Sequence, residues 1–140
     1  MAVIREKDVA VGEQSLQQWA EGARKMLSAQ AGEEERSRFV SPDLPRAVWA
    51  MSVRYSLYLL QLRAPGPGVE VRVAPWGAVK ILDGPASDPH NLTPPDVIEL
   101  EPDVWLRLAC GITTWSEERQ AGHISAIGER DDLSRLLPLV

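Results

Sequence analysis

The sequence predicts an α+β fold. Two apolar runs with helical periodicity come first, and the period changes after Arg63 to the alternation that is typical of a strand. A short turn then leads to a second strand-like run, which indicates a hairpin and hence antiparallel pairing. Helices mixed with an antiparallel sheet in a chain of 140 residues, a length that suits one domain, favour the α+β class.

The first predicted helix extends from Asp8 to about Leu27. Its apolar residues recur near helical spacing, at Val9, Leu16, Trp19, Ala20 and Ala23. We expect Asp8 to cap the helix and Gly22 to be an early stop. The segment 28–45 is interpreted as a connector, and its run of three glutamates, residues 33–35, as a solvated charged face.

A stronger helix is predicted from about Leu44 to Arg63. Its apolar stripe steps by three and four through Val48, Met51, Tyr55, Leu59 and Leu62. Pro45 suits the first turn of a helix, where a missing N–H does no harm. The sequence "APGPG", residues 64–68, predicts a turn that ends the helix.

The second half of the chain is predicted to hold the sheet and three shorter helices. Residues 69–73 alternate as a half-buried strand, and Pro75–Gly77 form the turn to the next strand. Residues 85–95 are predicted to be a loop. The remaining predicted elements are strands at 77–84, 96–101 and 123–128 and helices at 103–110, 114–121 and, as a final amphipathic helix, Asp131–Leu137.

The sequence offers no catalytic or metal-binding constellation. Neither histidine, His90 or His123, has a second ligand at a useful spacing. Cys110 lies at a predicted helix C-terminus, where the helix dipole disfavours a thiolate, so we interpret it as a buried structural thiol. No nucleophile–base pair is visible, so we predict no enzyme activity, no catalytic residue, no metal and no cofactor.

The charge and the hydropathy of the sequence argue against nucleic acid as a partner and against a membrane-spanning segment. The net charge is −5, and the basic residues are scattered among acidic ones, which excludes the basic footprint of a nucleic-acid binder. No apolar run approaches the ~20 residues that a membrane span needs, and the N-terminus lacks the apolar core of a signal peptide. A cytoplasmic location is therefore the expectation, and the single cysteine is consistent with it.

The large apolar residues of the sequence can be interpreted in two ways. Trp76, Trp105 and Trp115 fall in or near a turn and two helices that would pack on the sheet. They could fill a core, or, together with neighbouring leucines and isoleucines, line a cavity. The segment 102–130 is accordingly predicted to wall a pocket and to supply no chemistry.

The sequence resembles the sterol carrier protein 2 family. The features that carry the resemblance are the strand Ile98–Leu100, then Asp103 with Trp105, Leu106, Leu108 and Gly111, then Gly122, the strand 124–128 and the leucines of 133–137. A bacterial, mostly actinobacterial, branch is closer still through "AVWAMSVRYSLYLLQLRAPGPGVEVRVAPWGAVKIL". Trp76 replaces the phenylalanine that is usual in that branch, and the connector is longer.

The resemblance implies a sheet of about five mostly antiparallel strands that is covered by helices. It divides the chain into an N-terminal helix with an acidic connector, 1–43, and a sterol-carrier-like domain, 44–140. It also implies an apolar tunnel for a fatty acyl, acyl-CoA or sterol-like ligand. We expect the lining to comprise Leu57, Val73, Trp76, Ile81, Trp105, Leu108, Ile112 and Trp115.

Arg54, Arg72 and Lys80 are candidates to hold a headgroup at the mouth of such a tunnel. The alternative is an accessory domain of the same fold that has no lipid ligand. In that case an exposed apolar surface, such as one around Trp19 of the N-terminal helix, would contact a protein partner.

Overall fold

A computed structural model describes residues 2–29, 37, 39–84, 96–127 and 132–140. The predicted loop with His90, the glutamates 33–35 and Asp131 lie outside the described residues. Four α-helices are present in the described part: α1 Val9–Ala29, α2 Arg46–Arg63, α3 Pro102–Ala109 and α4 Trp115–Gln120. Single 3-10 turns cover Glu6–Asp8 and Ser134–Leu136.

The prediction that Gly22 stops the first helix is wrong, because α1 continues to Ala29. A Cβ atom at Gly22 would lie 3.0 Å from Cβ of Pro42. The glycine therefore lets the chain after α1 return closely against the helix, which is a packing role and not a termination role. α1 packs along α2, and Trp19 is completely buried between them. Trp19 is thus unavailable as the exposed partner surface that the accessory-domain alternative suggested.

The described strands are β1 Pro65–Val73, β2 Gly77–Ile81, β3 Asp96–Leu100 and β4 Ile124–Ile127. The segment 64–68 ends α2 as predicted, because α2 stops at Arg63. The turn predicted for this segment is wrong, because β1 begins at Pro65, after the single residue Ala64. Pro65 and Val69 both oppose Ile81, so the glycine- and proline-rich residues form a bulge within the strand. Gly66 has φ +152°, and a Cβ atom there would overlap the Leu82 carbonyl.

The sheet order is β2-β1-β3-β4. β1–β2 and β3–β4 are antiparallel, which confirms the predicted hairpin and the mostly antiparallel sheet, whereas β1–β3 is parallel. Four of the roughly five predicted strands occur in the described residues. Phe39 and Val40, which precede α2, are not in a strand.

One face of the sheet carries the core. In β1 the buried Val69, Val71 and Val73 alternate with Glu70 and Arg72 on the other face. β2 contributes Val79 and Ile81 to the buried face, and β3 contributes Ile98 and Leu100. α2 and α3 cover this face, so the main apolar layer lies between these two helices and the sheet.

The final helix predicted for Asp131–Leu137 is not formed over its described residues. Ser134–Leu136 make one 3-10 turn, and the Ser134 amide donates to Asp132 Oδ1 at 2.8 Å, which is a turn contact. Leu137 is extended, and Pro138 has no amide to continue a helix. The amide of Leu139 instead donates to the Ala109 carbonyl at 2.9 Å, so the C-terminus lies against the end of α3.

Candidate functional site

All eight residues predicted to line a ligand site lie in one apolar cluster. Six are buried in it, and Trp76 and Ile112 are half-buried at its margin. Four of the buried side chains have no accessible surface, and a side chain without accessible surface borders no space as large as a water molecule. Their role as a ligand lining stays a prediction. The four are Leu57, Val73, Ile81 and Trp105.

The Trp105 indole is held by a hydrogen bond inside this cluster. Its Nε1 donates to Ser56 Oγ at 2.8 Å, and the Ser56 hydroxyl donates within α2 to the Ser52 carbonyl at 2.7 Å. α3 brings the ring to α2 because its apolar face carries Val104, Trp105 and Leu108. The only polar atom of the deepest aromatic ring is thereby satisfied.

A surface depression opens where α2, the β1–β2 turn and the start of α3 meet. We call it the Trp49–Trp76 depression, and its volume is about 420 Å³. That volume lies in the lower part of the range of ~300–1,000 Å³ that is usual for ligand pockets, but the depression is shallow and mostly open to solvent. It contains one residue of the predicted lining, Trp76. Its walls are Ser41, Leu44, Arg46, Trp49, Trp76, Pro102 and Asp103.

The depression carries a positive group. The Arg46 guanidinium stands over the Trp76 ring, 5.6 Å from its centroid, which is cation–π geometry. Within the described part of the chain, Arg46 makes no ion pair with a carboxylate. The charge of Asp103 is already compensated, because its Oδ2 accepts from Arg107 Nη1 at 3.1 Å. Arg46 is therefore the group in the depression that is suited to an anion.

The three arginine and lysine residues expected at a mouth lie elsewhere or have other contacts. Arg54 Nε donates to the Trp76 carbonyl at 3.3 Å, so it fixes the β1–β2 turn. Arg72 and Lys80 project from the sheet face opposite the core. Arg72 bonds Glu70 and Glu99, which raises its pKa, chiefly through the hydrogen bond to Glu70.

Arg46 was missed by the sequence reasoning, although a signal for it exists. It lies three residues before Trp49 on α2, a spacing that places two side chains beside each other on one helix surface. The contact with Trp76 depends on the β1–β2 turn folding back to the start of α2. That return is a tertiary feature that local spacing does not show.

A buried ion-pair cluster lies between α3 and α4. The sequence reasoning missed this cluster as well. Arg107 donates to Glu118 through Nε at 2.9 Å and through Nη2 at 3.1 Å. Thr113 and His123 also contact the Glu118 carboxylate, at 3.2 and 2.9 Å. The signal was Arg107 itself, a lone charge inside the apolar run of α3, which requires a partner if it is buried. The arrangement joins α3, α4 and the start of β4.

A second, more polar cleft of about 470 Å³ lies beside this cluster. His123, Arg72, Glu99, Glu101 and Ser125 are among its walls. His123 Nδ1 is engaged by the buried Glu118, which fixes the orientation of the imidazole. Among the described residues no group of three or more His, Cys, Asp or Glu side chains has the geometry to hold a metal ion.

Cys110 is confirmed as a buried thiol. It follows α3 directly, and 4% of its surface is exposed. Burial raises its pKa from 9.0 to about 12, against a smaller opposing effect of Arg24. A thiol that stays protonated at neutral pH is a poor nucleophile.

A comparison with known protein families gives a match. The sequence model of the family described as "Bacterial SCP ortholog" matches residues 45–139. The matched segment begins one residue before α2 and includes the whole sheet, α3 and α4, whereas α1 lies outside it. A search of curated proteins finds no match to this chain. Across the described residues, no helix has both the length and the apolar character needed to cross a bilayer.

Proposed function

We propose that this chain, which belongs to the bacterial family of sterol carrier protein (SCP) orthologues, is a non-enzymatic lipid-binding protein of the carrier type. The observation that carries the proposal is the Trp49–Trp76 depression, whose walls include Leu44, two tryptophans and Arg46, a guanidinium that has no carboxylate partner among the described residues. Apolar walls with a single charged group suit an amphiphile with an anionic head. Among the ligands implied by the family resemblance, this favours a fatty acyl chain or acyl-CoA over a neutral sterol.

The tail of such a ligand would enter the apolar layer next to the depression. Gly77 follows Trp76 and lies directly against Leu57, because a Cβ atom at Gly77 would be 3.2 Å from Leu57 Cδ1. Trp76 in the wall of the depression and Gly77 beside the buried Leu57 are therefore consecutive residues of the β1–β2 turn. Entry requires this turn to move away from α2, since Leu57 and Val73 have no accessible surface in the unliganded protein.

Burial of the tail is the favourable contribution to this opening. Each methylene that leaves water contributes about 0.8 kcal/mol, so a sixteen-carbon chain gains on the order of 13 kcal/mol before costs. Ordering the ligand and separating packed side chains offset much of that gain. Arg46 is exposed, so a charge-assisted contact with it is screened by solvent and adds up to about 1 kcal/mol, and it orients the head.

Calorimetric titration tests the proposal. Hexadecanoate is expected to bind, and Arg46→Gln is expected to weaken its binding by up to about fivefold, because one solvent-screened charge-assisted contact is lost. Hexadecanol, which has the same chain and no charge, should bind the wild type and Arg46→Gln equally. Arg135→Gln, a change at an exposed arginine near the C-terminus, is the control and should leave both affinities unchanged. Failure of both ligands to bind the wild type would refute the proposal.

The packed interior favours a second candidate, an accessory domain of SCP fold without a lipid ligand. Four predicted lining residues have no accessible surface, which is the state expected of a permanently filled core. In that case the protein would act through its surface, and the same titration would show no heat with any acyl probe. A partner interface would then have to be found by pull-down with the full chain.

A further inference from the structure

Two buried polar groups have no hydrogen-bond partner on the side of α2 that faces α1. They are Trp19 Nε1 and Ser52 Oγ, and neither residue has any accessible surface. A third such atom among the described residues, Trp115 Nε1, belongs to α4. A buried polar atom without a partner is uncommon and costs stability, so each such atom in a folded protein requires an explanation. The partner is supplied neither by the described residues nor by bulk water.

Both groups belong to the α1–α2 interface. Trp49 and Tyr55 of α2 both contact α1, Trp49 through the Trp19 ring and Tyr55 through Gly12. Ser52 lies midway between them at a spacing of three residues, so its side chain leaves α2 toward α1 as well. The unpaired hydroxyl and the unpaired indole N–H are thus on the same side of α2.

Trp49 lies between Trp19 and the depression. Its ring makes an edge contact with the Trp19 ring at 5.6 Å between centroids and is also a wall of the Trp49–Trp76 depression. Trp49 is half-buried, so its ring can turn outward with less loss of packing than a core residue would suffer. When it turns, a ligand in the depression reaches the α1–α2 interface.

We propose that Trp19 Nε1 and Ser52 Oγ form a second, polar subsite that recognises an oxygen atom on the acyl chain close to the head of the ligand. An indole N–H can only donate and a hydroxyl can do both, so the matching group is an oxygen that accepts, such as a hydroxyl or carbonyl. This inference rests on the proposed function and narrows its ligand class to acyl chains oxygenated near the carboxylate. Arg46 would bind the carboxylate, and the tail would enter beside Leu57.

Selectivity among matched acyl probes tests this subsite. The probes are hexadecanoate and its derivatives hydroxylated at the second, third or terminal carbon. We expect the wild type to bind one of the two derivatives hydroxylated near the head about tenfold more tightly than hexadecanoate, as one good hydrogen bond provides. The terminally hydroxylated acid should show no such gain. Equal binding of all four acids would overturn the inference and leave the proposed function standing, whereas absence of binding by all four would refute both.

Ser52→Ala separates the subsite from general packing. It should abolish most of the preference for the hydroxylated acid while leaving hexadecanoate affinity unchanged. Ser56→Ala is the matched control, because that buried serine is on the same helix and its hydroxyl is already bonded to Trp105. It should leave the preference intact. Trp19→Phe removes the N–H and keeps a ring, and should act in the same direction as Ser52→Ala.

The thermal unfolding temperatures of the serine variants test the inference without any ligand. Because the Ser52 hydroxyl is unpaired, Ser52→Ala should leave Tm unchanged or raise it, whereas Ser56→Ala should lower it by several degrees. A fall in Tm for Ser52→Ala as large as that for Ser56→Ala would show that the Ser52 hydroxyl has a partner. That result would overturn the inference whatever the titrations give.

Discussion

Arg107 and Glu118 form a bidentate ion pair that is removed from solvent. The two contacts measure 2.9 and 3.1 Å, and 1% and 0% of the respective side chains are exposed. Arg107 Nη1 also donates to the Val40 carbonyl at 3.1 Å, so the guanidinium joins α3, α4 and the chain before α2. Desolvation of two charges is expensive, and this geometry offsets it with a hydrogen bond at nearly every polar atom.

Arg107→Met is expected to destabilise the protein by about 3–5 kcal/mol, because it leaves Glu118 buried without its charge partner. Urea unfolding followed by circular dichroism measures the free energy of unfolding. Arg72→Met is the matched control, since Arg72 pairs with Glu70 and Glu99 on an open face and 41% of its side chain is exposed. That change should cost less than about 1 kcal/mol.

The double variant Arg107→Met with Glu118→Leu should recover a large part of the loss, because it removes both buried charges. Equal stability of the double and the single Arg107 variants would contradict this account of the pair. Comparing the double variant with the single Arg107 variant therefore shows whether the loss of stability comes from the uncompensated charge of Glu118 or from lost packing around α3.

Ser56→Ala is expected to lower the free energy of unfolding by about 1–3 kcal/mol. It removes the acceptor of the Trp105 indole N–H, which then remains buried and unpaired. Urea denaturation with tryptophan fluorescence measures the loss. Replacing Ser28, an exposed serine of α1, by alanine should cost less than about 0.5 kcal/mol. A neutral Ser56→Ala would show that the indole finds another acceptor.

Gly66→Ala is expected to cost roughly 3 kcal/mol or more. The residue has φ +152°, a region open almost only to glycine, and its added Cβ would meet the Leu82 carbonyl. Gly122→Ala is the control, because Gly122 has φ +77° with no atom within 4 Å of an added Cβ. It should cost about 1–2 kcal/mol. Chemical denaturation compares the two, and equal losses would show that the bulge of β1 yields to a side chain.

The buried thiol of Cys110 predicts a loss of stability in alkali. Its pKa is 9.0 when exposed and about 12 in the folded protein, so the unfolded state releases the proton first. This contribution is fully present below pH 9 and is lost as pH rises toward 12, with a slope of up to about 1.4 kcal/mol per pH unit. Unfolding at about pH 8 and about pH 10 should show a smaller drop for Cys110→Ala than for the wild type, by about 1.4 kcal/mol. Equal drops would contradict the burial of the thiol.

The periodic parts of the fold could be predicted from the sequence. The alternation of β1 reflects burial on one face, and local spacing records such burial directly. The helix α2 was predicted, but its buried face was not, because Leu62 of the predicted stripe is 62% exposed. The residues of α2 that are buried are Ala50, Ser52, Val53, Ser56, Leu57 and Leu60. Other errors occurred where glycine and proline serve packing. Gly22 and the "APGPG" segment were interpreted as chain breaks, but one allows a close approach to Pro42 and the other a strand bulge.

Less of the candidate site than of the fold could be predicted from the sequence. All eight residues expected from the family resemblance lie in the apolar cluster, and their role as a ligand lining stays a prediction. The sequence could not place Arg46 in the depression, because the β1–β2 turn brings Trp76 to it across 30 residues of chain. The unpaired state of Trp19 and Ser52 likewise depends on which atoms their neighbours present, and this follows only from the packed structure.

Mass spectrometry of the purified protein, under native conditions and then after denaturation, tests the central claim most directly. A carrier of amphiphiles should retain a stoichiometric lipid, and the account predicts an acyl species with an anionic head, found with the wild type and depleted in Arg46→Gln. A protein that carries no lipid, and that shows no change in tryptophan fluorescence on titration with hexadecanoate, would contradict the account and favour a permanently filled core.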